Sequence, residues 1–364
     1  MRWRPLGVVA TITPWNVPLL TPAWKWLPAL VAGNTVVWKP SERASGVAAA
    51  ALGALREAGL PPDVLIALFG AAGAAQALAS HPGVDAVHFT GSTAAGRAVA
   101  GAASLGAKAV ALELGGLNPA LVLRDADLDL AARHILASAT AISGQKCSAT
   151  RQVLVERGVA DALAERVGDE LCTYGPADPT EPSTRVGPLI GPDAARRASL
   201  AVEAALDRGG RLVATAPPLA ASSPLERASF FAPVLLEGLG PDEALRREEL
   251  FAPVLTLVEV ESADAAVSLA NSLPFGLAAS VFTSNLELGR RVAEALDFGI
   301  VGLNRRGDTV DMETPFCGRR RSGNDMPEGG RFVYSSLTTP QALYGLPEPA
   351  NEPTSTSGTD FALH

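Results

Sequence analysis

The stretch Gly7-Val-Val-Ala-Thr-Ile12-Thr13-Pro-Trp-Asn16 joins a short β-branched apolar run to a polar stop containing proline. Such a run reads as a buried strand, and the figure returns at Thr35 to Trp38, Val64 to Phe69, Ala86 to Phe89 and Ala109 to Leu114. Ala-rich segments of helical length separate the runs. Strand and helix alternating at this spacing build βαβ units, hence a parallel sheet with helices on both faces. The predicted class is α/β, a Rossmann-like doubly wound parallel sheet. Ligands of such sheets bind beyond the carboxyl ends of the strands. Thr13 to Asn16, Lys39 to Glu42, Gly70 to Gly73 and Thr90 to Ser92 fall there.

From Gly115 the pattern continues as a second α/β unit. It predicts a helix over Leu128 to Ser143 and a strand over Gln152 to Glu156. A Pro-rich surface excursion from Pro176 to Pro192 follows, then strands at Arg211 to Ala214, Phe251 to Val260, Ala278 to Phe282 and Gly299 to Leu303. The tail after Gly345 lacks apolar periodicity and reads as disordered.

Composition excludes several classes of function. The 364 residues carry 30 Lys+Arg against 38 Asp+Glu, a net charge of −8, which disfavours capture of nucleic acid or an anionic membrane. The uncharged stretches Val64 to Val84 and Ala265 to Leu286 are broken by Pro82 and Pro274, so neither offers a membrane span. No signal-peptide pattern follows Met1, and three scattered cysteines (Cys147, Cys172, Cys317) make no disulfide framework. These features predict a reduced, cytoplasmic protein. The four histidines show no ligand spacing, so no metal site is expected. There is no Gly-x-Ser-x-Gly, no complete phosphate loop and no Gly-x-Gly-x-x-Gly.

Cys147 remains, in the polar loop Ser143-Gly-Gln-Lys-Cys147-Ser-Ala-Thr150. A lone cysteine is either inert packing or a nucleophile, and the adjacent Lys146 would favour its thiolate. Glu113 ends an otherwise apolar strand, as either a satisfied structural acid or a general base with a raised pKa. Asn16 offers an amide donor at the same sheet edge. A thiol, a donor and a carboxylate brought together suffice for covalent chemistry on a carbonyl.

These segments resemble the NAD(P)-dependent aldehyde dehydrogenase superfamily. The matches are Thr13-Pro-Trp-Asn16, Gly33 to Glu42, Phe89-Thr-Gly91-Ser92, Leu112-Glu113-Leu-Gly-Gly116 with Asn118-Pro119, Gly144-Gln-Lys-Cys147, Glu248-Glu249-Leu-Phe251, Asn271 through Leu277, and Asn304 followed by Pro315-Phe316. They stand in the family's order and reach to about Tyr344.

The resemblance implies an N-terminal NAD-binding domain (1–114) and a catalytic domain (115–318). A bridging segment with an intersubunit strand (319–345, the strand within Phe332 to Thr339) and a tail (346–364) complete the chain. It implies Cys147 as nucleophile, Glu113 as the base that activates water, and Asn16 as oxyanion donor. The implied cofactor contacts are Ile12, Thr13, Pro14, Trp15, Lys39, Ser41, Glu42, Gly91, Ser92, Leu114, Glu249 and Phe251. A carboxylate at Glu42 would repel a 2′-phosphate, which favours NAD over NADP. The implied activity is oxidation of an aldehyde, such as a semialdehyde of a small acid, to the carboxylic acid by a homo-oligomer (dimer or tetramer). A CoA-acylating relative would lack the acid at Glu113, and a non-catalytic binding homologue has no need of the full set.

Departures are expected to matter. Only six residues precede the first strand, where family chains carry a long segment, so a shortened N-terminus with exposed apolar surface is expected. Leu117 stands for a usual Lys, and Ala252 and Cys317 for usual Gly. In the loop after Asn304, Arg305 or Arg306 could pair with a distal substrate carboxylate, solvated arginines being the other reading.

Overall fold

A computed structural model describes residues 1–344 apart from Ser222 and Glu226. The chain opens with β1 (Arg2–Pro5) and then alternates strictly: β2 (Val8–Ile12), α1 (Leu20–Val31), β3 (Thr35–Lys39), α2 (Ser45–Glu57), β4 (Leu65–Ala67), α3 (Ala72–Ser80), β5 (Ala86–Thr90), α4 (Thr93–Ser104) and β6 (Ala109–Glu113). Five of these strands make an all-parallel sheet in the order β4-β3-β2-β5-β6. The chain starts at the centre, works out to β4 and crosses back to β5. The crevice between β2 and β5 is therefore the topological switch point.

Period-two alternation sets the two faces. Val9, Val36, Trp38 and Leu65 pack with Trp26, Ala29 and Ala48 on one face, while Ala10, Ile12, Val87, Phe89 and Leu112 pack with Leu78, Val99 and Ala103 on the other. Ile12 and Leu114 thus place their side chains in the core, and only their backbone can face a cofactor.

The second unit runs β7 (Asn118–Val122), α5 (Leu128–Ala139), β8 (Thr150–Glu156), α6 (Ala160–Leu171), α7 (Pro192–Asp207), β9 (Arg211–Thr215), β10 (Val234–Glu237), β11 (Val254–Val260), α8 (Ala263–Asn271), β12 (Phe275–Gly276), β13 (Ala278–Phe282), α9 (Leu286–Ala295) and β14 (Ile300–Leu303), with β12 outside the main sheet. Seven strands run in the order β14-β13-β7-β8-β11-β10-β9, parallel except at β9. Two strands of this sheet, β7 and β10, escaped the sequence reading, as did the short strands β1 and β12 outside it. β7 begins Asn118-Pro119, a pair that reads as a turn, and all five of its residues are buried, so it shows no alternation.

Three predicted boundaries need correction. The helix read over Leu128 to Ser143 ends at Ala139, because Ile142 and Ser143 are left-handed (φ 52 and 55). The strand read from Phe251 begins at Val254, because Phe251 is left-handed (φ 59) and Pro253 lacks an N–H to give the ladder. The strand read within Phe332 to Thr339 is mostly a 3₁₀ helix (Gly330–Ser336). After β15 (Arg319–Arg320), the closing strand β16 (Thr338–Gln341) pairs antiparallel with β1 of the same chain. Val333 and Leu337 return to the first sheet and pack against its β3 face.

The tail expected to be disordered, 346–364, lies outside the described residues. Among the described residues no helix is long and apolar enough to cross a membrane, and no group of three or more His, Cys, Asp or Glu could hold a metal ion.

Candidate active site

Cys147 reaches the sheet edge through strained backbone. After α5, Ile142, Ser143 and Gly144 take three consecutive left-handed conformations. A β-branched residue is a true outlier there, at a cost of order 1–3 kcal/mol, so the surroundings must enforce it. At Gly144 a Cβ would collide with the backbone of Ala252 and Pro253.

The enforcement comes from the Pro-rich stretch that the sequence suggested was a surface excursion. Ser143 Oγ donates to Gly187 O and accepts from Gly187 N, both at 3.0 Å, while Gln145 Oε1 accepts from Ile190 N at 2.7 Å. Val186 and Leu189 are buried, so the far end of the excursion is a buttress. From below, buried Arg151 on β8 donates to the carbonyls of Gly144, Lys146 and Ala252.

Two asparagines close on the same loop. Asn16, just after β2, donates Nδ2 to Gln145 O at 2.8 Å, which sets its amide two residues from the thiol. Asn118, at the start of β7, donates to the carbonyls of Cys147 and Ala149 at 2.8 and 2.7 Å and accepts from Ala278 N at 3.0 Å. Its sequence signal was the Asn-Pro motif, which carried no role in the reading above.

Glu113 ends β6 with 2% exposure; Gly318 N donates to Oε1 at 3.4 Å, and Oε2 is buried with no partner. Burial pushes its pKa up to about 8, opposed by the charge of Lys25 and by the Gly318 N–H. Lys25, on α1, forms a salt bridge with Glu328, and both side chains are buried. Sequence reasoning missed this pair. Its signal was available, since a lysine between two tryptophans in an apolar helix must have a partner.

The thiol itself departs from expectation. Burial, then the nearby carboxylates of Glu249 and Glu113, push Cys147 up to about 12. Lys146 favours the thiolate, as expected, but is outweighed by burial and the two carboxylates; its ammonium is held by the Asp308 carboxylate and carbonyl at 2.8 and 2.7 Å.

The remaining predicted residues follow the ends of β2, β3, β5 and β6 or precede β11. Lys39 ends β3 nearly buried, 3.4 Å from the exposed carboxylate of Glu42, and Ser41 beside them is buried. Ser92, after Gly91, caps α4 by accepting from Ala95 N at 3.3 Å; buried Thr90 Oγ1 just before it has no partner. Thr13 accepts from Trp38 Nε1 at 2.9 Å, and Trp15, next to Pro14, stands edge-on to Phe251 at 5.7 Å. Glu249 accepts from Gly116 N at 3.2 Å, and burial lifts its pKa to about 7. At Gly115 a Cβ would strike its carboxylate.

A dinucleotide fits this donor set. Lys39 and Glu42 suit ribose hydroxyls, the α4 N-terminus and Thr90 suit a pyrophosphate, and Glu249 suits a second ribose near the thiol.

The family model described as "Aldehyde dehydrogenase family" matches residues 1–342, and the chain belongs to that family. It is 32% identical over 344 residues to an alpha-ketoglutaric semialdehyde dehydrogenase of Bacillus subtilis, covering 94% of this chain and 70% of that protein. To an aminoacetaldehyde dehydrogenase of Pseudomonas aeruginosa it is 39% identical, over 88% of this chain and 64% of the relative. The crystal structure of lactaldehyde dehydrogenase from Escherichia coli superposes with a TM-score of 0.88 at 33% identity, covering 94% of this chain and 70% of that one. The chain spans about two thirds of the length of the curated relatives it matches.

Proposed function

We propose that this chain oxidises an aldehyde to the carboxylic acid with a nicotinamide dinucleotide, using Cys147 as nucleophile, Asn16 as oxyanion donor and Glu113 as general base. The observation that carries this reading is convergence. Three residues from distant stretches meet, with Asn16 bonded to the loop of Cys147 and Glu113 close enough for its charge to act on the thiol.

The Cys147 sulfur adds as thiolate to the carbonyl carbon, and the oxygen that gains charge faces the Asn16 amide and the Cys147 N–H. A thiol with a pKa of about 12 must give up its proton as it attacks, and Glu113 is the nearby acceptor. When bound, the nicotinamide supplies the hydride acceptor, so the carbon bonded to sulfur becomes an acyl thioester. Glu113 passes the thiol's proton to solvent and, ionised again, takes a proton from water as the water oxygen attacks the acyl carbon. The C–S bond breaks, the departing sulfur takes that proton back from Glu113, and acid and thiol are released.

Lys39, Glu42, Ser92 and Glu249 would hold the dinucleotide, with residues 1–114 as its domain and 115–318 carrying the nucleophile. The exposed Glu42 carboxylate supports NAD over NADP. The three free cysteines support a reducing cytoplasm. The exposed apolar side chains of α1, Leu20, Leu27 and Val31, support a homo-oligomer.

Relatives named for acid semialdehydes and for aminoaldehydes match about equally well, so their names do not select the tail of the substrate. The test is reduction of NAD or NADP at 340 nm with a panel of aldehydes. NAD-linked turnover abolished by Cys147→Ala is expected; silence with every aldehyde and both dinucleotides would overturn the reading.

A further inference from the structure

Gln145, two residues before the thiol, is held from two sides. Its backbone carbonyl accepts from Asn16 beyond β2, and its Oε1 accepts from Ile190 N at 2.7 Å. Ile190 belongs to the strap 187–191 at the far end of the Pro-rich stretch, and its carbonyl accepts from Arg43 Nη1 at 3.5 Å. One residue thus gives its N–H to the nucleophile loop and its carbonyl to the turn that follows β3. That turn is a 3₁₀ helix (Glu42–Ala44), in which Ser41 Oγ accepts from Arg43 N at 3.3 Å. Arg43 is therefore the immediate neighbour of Glu42, the residue suited to a ribose.

The joints of this path differ in stiffness. Next to the loop the strap is pinned: Leu189 is buried and its N–H donates to Ser229 O at 2.8 Å, while Gly187 exchanges two bonds of 3.0 Å with Ser143 Oγ. The Arg43 contact is long for a hydrogen bond, and both Arg43 and Glu42 are exposed, so a ligand on Glu42 can tighten this joint. The loop at the other end has cause to move. Ile142 is β-branched, left-handed at φ 52 and 44% exposed, a conformation that only its surroundings enforce. The turn 142–144 relaxes when its buttress loosens, which gives it two arrangements that the strap chooses between.

Resting on the dinucleotide reading above, we propose that Arg43 is a positioning residue that transmits occupancy of the dinucleotide site to the nucleophile loop through Ile190 and Gln145. With Lys39 and Glu42 engaged on the adenosine ribose, the turn that bears Arg43 is stilled and the strap is held against Gln145. Asn16 shares in the ordering, because its amide is bonded to the same residue. The nucleophile is thereby set before an aldehyde arrives, by the half of the cofactor that takes no part in hydride transfer.

AMP is the probe, because it carries the adenosine end alone. Hydrogen exchange read peptide by peptide follows residues 35–44 and 142–149 separately. In the wild type AMP should slow exchange at both, by about fivefold or more at 142–149. In Arg43→Met, a change at an exposed side chain, AMP should still protect 35–44 while 142–149 exchanges as in the free protein. A merely structural role for Arg43 would alter the free protein and leave the response to AMP intact. Protection of 35–44 without any at 142–149, or loop protection that survives Arg43→Met, would overturn the proposal and leave the dinucleotide reading standing. No protection of 35–44 by AMP in the wild type would overturn both.

Discussion

Lys25 and Glu328 lie 303 residues apart in sequence and form a salt bridge with 0% and 3% of their side chains exposed. Two buried charges are stable only because each has the other, and they bring the C-terminal segment and α1 together beside Glu113. Burial pulls Lys25 well below the usual lysine range, while the Glu113 charge opposes it. The coupling of Lys25 to Glu113 makes this pair a setting for the proposed general base.

The first prediction concerns that setting. Glu113 must be ionised to take a proton, so turnover should rise with pH through a limb near its pKa of about 8. The Lys25 charge lowers that pKa, so Lys25→Met should move the limb to higher pH. The single variant also strands Glu328, at a cost of about 3–5 kcal/mol. The double variant Lys25→Met/Glu328→Gln should recover much of that stability while the limb stays displaced. A limb at the wild-type position in the double variant would show that the pair only braces the fold.

Linkage fixes the sign of the accompanying stability change. The folded chain binds the Glu113 proton more tightly than the unfolded chain, from the ordinary 4.5 up to about 8. Its contribution to stability is therefore complete below the ordinary value and is lost as pH rises through that window. Glu113→Gln should remove this decline as well as turnover. Thermal unfolding from pH 5 to 9 for both proteins checks it.

The second prediction follows from the thiol. With Cys147 pushed up to about 12 in the absence of ligand, its alkylation by iodoacetamide should be slow at neutral pH and keep accelerating beyond pH 9. Exposed Cys172 should react faster across the neutral range. A plateau at Cys147 below pH 8 would mean that a cation does stabilise the thiolate.

The first sheet was legible because its strands alternate with helices and end in polar stops, and all five stand where the apolar runs predicted. The catalytic candidates stood out for a related reason. Glu113 and Asn16 are polar groups where apolar strands end, and Cys147 stands in a polar loop, where packing alone gives no cause for a thiol. Strand β7 was invisible because full burial erases alternation, although it lies in the interior of its sheet, between β13 and β8. The fate of Lys146 was also invisible. Its neighbour in sequence is the thiol, but its partner is Asp308, 162 residues away, and only the folded chain shows that the nearer charge is already engaged. The Pro176 to Pro192 stretch misled in the same way, since nothing local says that its end buttresses Ser143 and Gln145.

The last prediction concerns Asn118. Its side chain ties the nucleophile loop to β13 through three backbone groups: the carbonyls of Cys147 and Ala149 and the N–H of Ala278. Asn118→Ala leaves these groups unpaired, at about 1–3 kcal/mol for each that stays dry, and frees the peptide that carries the thiol. Catalysis depends on that peptide being still, because a displacement of about 1 Å costs on the order of a hundredfold. The proposed dinucleotide contacts on β3 and α4 do not touch Asn118. In Asn118→Ala, kcat should thus fall by about ten- to a hundredfold while the Kd for NAD, read by fluorescence quenching, stays within about twofold. Asn118→Asp should be no better, since a carboxylate offers the two carbonyls no donor and repels them. A loss confined to NAD affinity would place Asn118 in the dinucleotide site instead of under the nucleophile.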